Sequence, residues 1–363
     1  MSYATQKLRD ISVIKTGKLD SNAAVENGAY PFFTCDPQTL RINIWAYDTE
    51  AVLLAGNNAS GNYTAKYYRG KFNAYQRTYI IEAADSERLS VRFLCYAINQ
   101  QLRLLKAMSS GSTTKFLTIR MLHNLDIPCP EIEVQDRIVN VLGTIDDLIE
   151  NNQKQIKLLE EAARRLYKEW FVDLRFPGYE DAPIVDGVPE GWADGTLGDI
   201  AVFKRGKTIT KAQVSDGNIP VVAGGLEPAY YHNKANTTAP LITVSASGAN
   251  AGFTRLYNID VFASDCSYID SNSTPFLLFV YCFLKTNAMK LNSLQKGSAQ
   301  PHVYAKDLNA LVLSVPSEGV LTAFCGIVSP YFERIRLLQR ENEIAAQARD
   351  RLLPKLMSGE IEV

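Results

Sequence analysis

Histidine and clustered cysteine are scarce in this 363-residue sequence. His123, His232 and His302 are its 3 histidines, and Cys35, Cys95, Cys129, Cys266, Cys282 and Cys325 its 6 cysteines, scattered with no Cys-x-x-Cys pair. A structural zinc site needs closely spaced N and S ligands, and a disulfide framework needs partnered cysteines, so neither a metal site nor disulfides are expected. Without a Cys-His or Ser-His grouping, nucleophilic catalysis has no visible apparatus. The Asn-Pro-Pro-Tyr and Asp-Pro-Pro-Tyr motifs of adenine methylases are missing, as is Gly-x-Gly-x-x-Gly. The nearest phosphate-loop match, Ala201-Val202-Phe203-Lys204-Arg205-Gly206-Lys207-Thr208, has Ala201 where the first glycine belongs, and reads better as a strand end carrying basic residues. No apolar run approaches the ~18 residues of a membrane span, and Met1 to Asp10 is polar, with no signal-peptide core. The expectation is a cytoplasmic protein with free thiols and no chemistry of its own.

What is present points to more than one domain. A chain of 363 residues that is 46% hydrophobic exceeds what one core usually organises. Its net charge of -1 conceals a segregation. Residues 1–130 hold 15 Lys+Arg against 10 Asp+Glu and residues 193–316 hold 10 against 8, whereas 131–192 and 317–363 together hold 13 against 21. Cationic globular parts are joined by anionic connectors, and local positive surface is what a nucleic-acid partner requires, whatever the overall balance.

The sequence is also written twice. Leu8 to Lys18 matches Leu197 to Lys207 at a shift of 189, which carries Tyr30-Pro31 to Ile219-Pro220 and Thr78-Tyr79-Ile80 to Ser267-Tyr268-Ile269. Further on, at a shift of 186, Gly111-Ser112 meets Gly297-Ser298, Pro130 meets Pro316, and Arg165-Leu166 meets Arg351-Leu352. Each half thus has a globular part followed by a helical part. Ala51–Leu54, Thr78–Ile81, Leu241–Val244 and Tyr268–Ile269 are β-branched or aromatic runs between turn residues and are expected as strands. Helices are expected at Val91–Ala107 and, in the duplicate, Pro275–Ser293, giving two mixed α/β domains.

From Pro130 to Asp173 no further proline and a single glycine interrupt the chain, so one long helix is expected. Its apolar positions step by four and three through Ile138, Leu142, Ile145, Ile149, Asn152, Ile156, Leu159, Ala163, Leu166 and Trp170, a heptad seam with one polar member. The duplicate seam runs Phe324, Val328, Tyr331, Ile335, Leu338, Asn342, Ala345, Arg349, Leu352, Leu356. Laid antiparallel so that Asn152 faces Asn342, the helices bring Trp170 to Phe324, Leu159 to Ile335 and Ile138 to Leu356, and a matched Asn layer penalises slipped registers. Arg349, opposite Ile145, fits if its guanidinium reaches out to an acid such as Asp146. The seam from 138 to 170 is roughly 48 Å long at 1.5 Å per residue, and an antiparallel pair would set one globular domain at each end with approximate two-fold symmetry.

At this point the residues carry a resemblance. Leu159-Glu160-Glu161-Ala162-Ala163-Arg164-Arg165-Leu166-Tyr167-Lys168-Glu169-Trp170-Phe171-Val172-Asp173, then Pro189-Glu190-Gly191-Trp192, and the ending Leu352-Leu353-Pro354-Lys355-Leu356-Met357-Ser358-Gly359-Glu360-Ile361 resemble the DNA-specificity subunits of type I restriction-modification systems. The resemblance implies an α+β protein organised as target-recognition domain 1 (1–130), a central long helix (131–173), a linker (174–192), target-recognition domain 2 (193–316), a C-terminal long helix (317–357) and a tail (358–363). It further implies a split asymmetric site on double-stranded DNA, and partners: two modification subunits with S-adenosylmethionine and, for cleavage, restriction subunits using ATP and Mg²⁺. The outer faces of the two long helices are then the expected partner surface.

Affinity for DNA comes from Lys and Arg on phosphates, and sequence choice from Arg, Lys, Asn and Gln at base edges. Candidates in the first half are Lys15, Lys18, Asn57, Asn58, Ser60, Lys66, Arg69, Lys71, Gln76 and Arg77. Lys204, Arg205, Lys207, Ser245, Ser247, Asn250 and Arg255 are those of the second. The Gly111-Ser112 and Gly297-Ser298 motifs read either as phosphate contacts or as a shared scaffold turn. Two other readings stay open: a coiled-coil scaffold that assembles proteins without reading DNA, and a stand-alone endonuclease or methylase.

Overall fold

The computed structural model describes residues 3–58, 61–109, 115–185, 187–296 and 301–363. It divides into two compact units, Met1–Glu150 with Asn342–Val363, and Asn151–Glu341.

In the first unit, β1 (Ser12–Thr16), β2 (Tyr30–Phe33), β3 (Leu40–Ile42), β4 (Tyr47–Ala55), β5 (Ala65–Ala74) and β6 (Thr78–Ala83) form one sheet in the order β1-β6-β4-β5-β2-β3. From Ala51 to Ala55 both faces of β4 are buried, which is why that part of its sequence reads as an unbroken apolar run. Ala51 and Leu53 pack with Phe33, Phe72 and Ile80 on one side. Val52 and Leu54 face the other way, onto Phe93, Leu94 and Ile98 of α1 (Val91–Gln100) and onto Ile138 and Leu142 of the long helix α2 (Ile132–Phe171). Ser90 caps α1, its side chain accepting from the Phe93 amide. The expected helix over 91–107 is interrupted at Gln101, whose backbone leaves helical geometry while its side-chain amide donates to the Asp126 carbonyl; a second helix, Leu102–Met108, follows.

The second unit repeats the plan. It contains β7 (Lys204–Arg205), β8 (Ile219–Val222), β9 (Tyr230–His232), β10 (Leu241–Ser245), β11 (Thr254–Tyr257), β12 (Phe262–Ala263) and β13 (Cys266–Asp270), paired as β7-β13-β10-β11 and β9-β8-β12. The register repeats with the sequence. The parallel partners Phe32 and Asn73 become Val221 and Phe262, and the antiparallel partners Val52 and Ile81 become Leu241 and Asp270, each at the shift of 189. Here α3 (Leu277–Thr286) packs Phe279, Val280 and Phe283 on Ile242, Val244 and Ile269. Its extension is broken at Asn287, the counterpart of Gln101 at the shift of 186, before Ala288–Ser293. The second long helix, α4, spans Glu318–Ser358. Within the expected linker, Ile184–Val185 pairs with Val188–Pro189, and the rings of Phe176 and Trp192 are buried with their centroids 5.1 Å apart.

Within each unit a stretch of α2 lies antiparallel to a stretch of α4, and every seam position is sheltered. In the second unit Trp170 meets Phe324 at 5.8 Å between rings, as expected, and at the other end Asn152 Nδ2 donates to Glu341 Oε2 at 2.9 Å. In the first, Ile138 and Leu142 share a core with Leu352 and Leu356. There Arg349 leaves its seam position as expected, its Nη1 donating to Asp146 Oδ1 at 2.9 Å. The Asn positions are satisfied unequally. Asn152 is buried and bonded to Glu341, a residue off the seam that the heptad pattern does not single out, while Asn342 Oδ1 is buried with no partner among the described residues.

Candidate nucleic-acid interface

The turn Tyr75-Gln76-Arg77 between β5 and β6 is a hub on which other turns of the first unit converge. The Gln76 amide donates to the Leu19 carbonyl at 2.9 Å and its Nε2 to Asp20 Oδ1 at 2.7 Å, bringing in the turn that carries Lys18. The Arg77 carbonyl accepts from the Gly56 amide at 2.8 Å, bringing in Asn57 and Asn58, which pair in turn with Phe116 and Lys115. Tyr75 donates to the Phe33 carbonyl at 2.9 Å, and Cys35, one turn on, reaches the Arg77 carbonyl through its thiol. Gly17 has to be glycine here, because a Cβ would stand 2.1 Å from the Ala74 carbonyl oxygen.

The same hub is built in the second unit from different side chains. Ser264 donates to the Val222 carbonyl at 2.8 Å, the counterpart of Tyr75 on Phe33, and a Cβ on Gly206 would lie 2.2 Å from the Ser264 carbonyl oxygen. At the shift of 189, Lys18 becomes Lys207, Asn57 Ala246, Asn58 Ser247, Gln76 Asp265 and Arg77 Cys266. Lysine persists; the polar groups around it do not. Where Gln76 bonds Asp20, the Asp265 carboxylate instead takes the hydroxyl of Ser247. Asp20 and Asp265 were not singled out from the sequence, whereas Lys115 ends the Gly111-Ser112-Thr113-Thr114-Lys115 motif read there as a phosphate contact or a scaffold turn. Asp265 had a signal there, the shift from Gln76, but its bond to Ser247 spans 18 residues and is a tertiary fact.

The remaining candidates separate by what they touch. Lys18, Arg77, Lys204, Arg205 and Lys207 are exposed and make no ion pair among the described residues. Lys15 is committed to Glu82 at 2.5 Å. Lys66 bonds Thr39 Oγ1 at 3.1 Å, and burial pulls its ammonium below the usual lysine range against the opposing pull of Asp36. Arg69 and Lys71 are exposed along β5, and Lys71 lies over the Trp45 ring at 4.7 Å. Asn250 donates to the Gly224 carbonyl, as does Ser245 through its hydroxyl, so both hold a turn together. Arg255 serves structure too, donating to the Leu226 carbonyl at 2.8 Å between the Tyr257 and Phe253 rings. Ser60 and the Gly111-Ser112 and Gly297-Ser298 motifs lie outside the described residues.

Burial pushes the Cys95 and Cys266 thiols up to about 12, far from a thiolate nucleophile. The phosphate-loop lookalike is strand β7 followed by irregular backbone in which Gly206 lies against the Ser264 carbonyl, and no α-helix begins there to cradle a phosphate. No group of three or more His, Cys, Asp or Glu among the described residues could hold a metal, and no described helix is long and apolar enough to cross a membrane.

Comparison with known proteins places this geometry. The model of the type I restriction modification DNA specificity domain matches the chain twice, over residues 2–161 and 189–344. The specificity subunit of the type I restriction enzyme EcoDI of Escherichia coli is 34% identical over 165 residues, 46% of this chain and 36% of that subunit. The MjaIX specificity subunit of Methanocaldococcus jannaschii is 30% identical over 288 residues, 71% of this chain and 66% of that subunit. The chain therefore spans about a third of the length of the first relative and just under two thirds of the second. A crystal structure of the type I restriction-modification S subunit from M. genitalium shares the fold, with a TM-score of 0.63 at 19% identity over 98% of this chain and 96% of that one. Both halves of the sequence carry the domain, and the chain belongs to the family of type I restriction-modification DNA specificity subunits.

Proposed function

We propose that this chain binds duplex DNA at a bipartite, asymmetric site, each unit reading one part through its turn hub, and carries out no bond-making step itself. One observation supports this above the others: the two hubs share a backbone plan and a lysine but differ in the groups beside it. Shared lysines suit phosphates, which are the same in every sequence, while divergent Asn, Gln, Ser and Asp suit different base edges. On this reading methyl transfer and cleavage belong to partners: modification subunits that bring S-adenosylmethionine, and restriction subunits that bring ATP and Mg²⁺. Exposed apolar side chains on the long helices, Leu158 (65%), Leu337 (45%) and Ile344 (54%), support a partner surface there.

The test is binding of duplex DNA by the chain purified with a modification subunit, across a salt series. A DNA reader loses affinity steeply as salt rises, since each phosphate contact adds about one to the slope of log affinity against log salt. Flat salt dependence, or no binding, would leave a protein-assembly scaffold. Sequencing the methylated bases of a host that expresses both subunits then reports the two half-sites directly.

A further inference from the structure

Beside the first hub an exposed apolar pair stands apart from every core. Ile44 and Trp45, in the loop between β3 and β4, are 60% and 46% exposed, whereas the other two tryptophans, Trp170 and Trp192, are 5% and 8% exposed. Lone exposed apolar residues are ordinary on protein surfaces. Two adjacent ones held in place are less so. The Ile44 carbonyl accepts from Asn73 Nδ2 at 3.3 Å, the Ala46 amide donates to the Phe72 carbonyl at 3.0 Å, and the Tyr47 hydroxyl donates to the Thr16 carbonyl at 3.1 Å. These bonds pin the loop to the strand ends that run directly into Gly17-Lys18 and Tyr75-Gln76-Arg77. Lys71 then lies 4.7 Å above the indole, fixing the ring and placing a cation on its rim.

The duplication separates scaffold from readout at this spot. The frame of this loop recurs in the second unit one residue further on, His232 pairing with Ile219 as Ile42 does with Tyr30 and the Asn236 amide donating to the Val261 carbonyl as Ala46 does to Phe72, so Ile44 and Trp45 correspond to Lys234 and Ala235, both exposed. Val52 and Leu241 keep their character between the halves, whereas this loop exchanges a large apolar pair for a cationic residue and an alanine. A surface that changes chemistry while its backbone frame persists is under the demand of a ligand that differs between the units. Resting on the reading above, we propose that Ile44 and Trp45 form an apolar wedge of the first unit that enters the duplex at a base step, the indole packing on the opened step and Lys71 taking the flanking phosphate. Proteins that bend DNA use such side chains at flexible steps, where unstacking is cheapest. The second unit has no wedge at this place, and Lys234 supplies a charge there instead.

Trp45 is its own probe, because it is the one tryptophan of the three that iodide can reach. The experiment titrates the full chain, and separately the Trp45→Phe, Trp45→Ala and Lys71→Ala variants, with a duplex carrying the methylated site, following affinity and iodide quenching of tryptophan emission. The wedge predicts that DNA removes most of the quenchable emission, that Trp45→Ala binds about ten-fold or more weakly while Trp45→Phe stays within a few-fold, and that Lys71→Ala lowers the salt slope by about one. Quenching needs no variant, so the result stands whatever Trp45→Ala does to folding. DNA binding with Trp45 still fully quenchable, and with Trp45→Ala binding as tightly as the parent, overturns the wedge and leaves the DNA-reading proposal intact. Absence of any duplex binding overturns both.

Discussion

Gln135 shows how a single polar residue can tie a recognition domain to its helix. It is 0% exposed, one turn into α2, and every strong hydrogen-bonding group of its side chain is used. Its Oε1 accepts from the Ser90 amide at 3.0 Å, and its Nε2 donates to the carbonyls of Arg88 at 2.9 Å and Pro130 at 2.8 Å. The duplicate position is Leu321, also buried, so leucine fits this place in the fold when the surrounding backbone does not ask for hydrogen bonds. In the first unit it does ask. Gln135→Leu leaves one part-buried N–H and two carbonyls without this partner, and because the cost lies in groups left unsatisfied, a loss of about 1–3 kcal/mol is expected. Urea unfolding of the purified variant checks it; a loss under about 1 kcal/mol would mean that water reaches these groups.

At the scale of elements, the helix seam carries a polar residue whose only described cost is visible. Asn342 sits among seam neighbours with its Oδ1 buried and unbonded, whereas Asn152 has Glu341. Asn342→Leu removes an unsatisfied carbonyl and adds apolar surface at a heptad position, so a gain on the order of 1 kcal/mol is expected. Asn152→Leu frees only Glu341, whose carboxylate is exposed, and is expected to be close to neutral. Thermal melts of the two variants side by side decide this; a clear loss for Asn342→Leu would assign its amide a role in fixing register. The seam was legible because its period is set by local geometry and sustained for ten positions, and the outward reach of Arg349 followed from charge on an apolar seam. Which acid answers Asn152 was not legible, since Glu341 lies off the seam and its long side chain can turn either way. The breaks at Gln101 and Asn287 escaped for a similar reason. The apolar period runs through both, and a side-chain hydrogen bond decides the matter: Gln101 to Asp126 in one unit, Asn287 back to Phe283 in the other.

Across the whole molecule, the duplication says most about function, and its two components have different physical origins. The strand pairing repeats because both units are built on one backbone plan, as the pairs Phe32 with Asn73 and Val221 with Phe262 illustrate. The hubs repeat in backbone and diverge in side chain, so the frame was readable from the shift while the candidate contacts were readable only as a mixture. Folding sorted that mixture. Ser247, Asn250 and Arg255 hold turns together, and Lys18, Arg77 and Lys207 face solvent. If each unit reads on its own, replacing residues 1–130 with the corresponding domain of another specificity subunit changes one half of the methylated site and leaves the other half as it was. The graft has to respect the first unit's own joints. Arg92 pairs with Asp147 at 2.6 Å and the Tyr96 hydroxyl donates to Asp146 at 2.6 Å, whereas the second unit seats α3 on its long helix through the Tyr281 and Phe332 rings at 5.5 Å. A donor domain lacking Arg92 and Tyr96 would leave Asp147 without its ion pair and Asp146 with Arg349 alone, so those residues are kept in the exchange. Methylome sequencing reads the outcome base by base. A change confined to one half supports two independent readers, and a change in both halves would mean that the units read the site together.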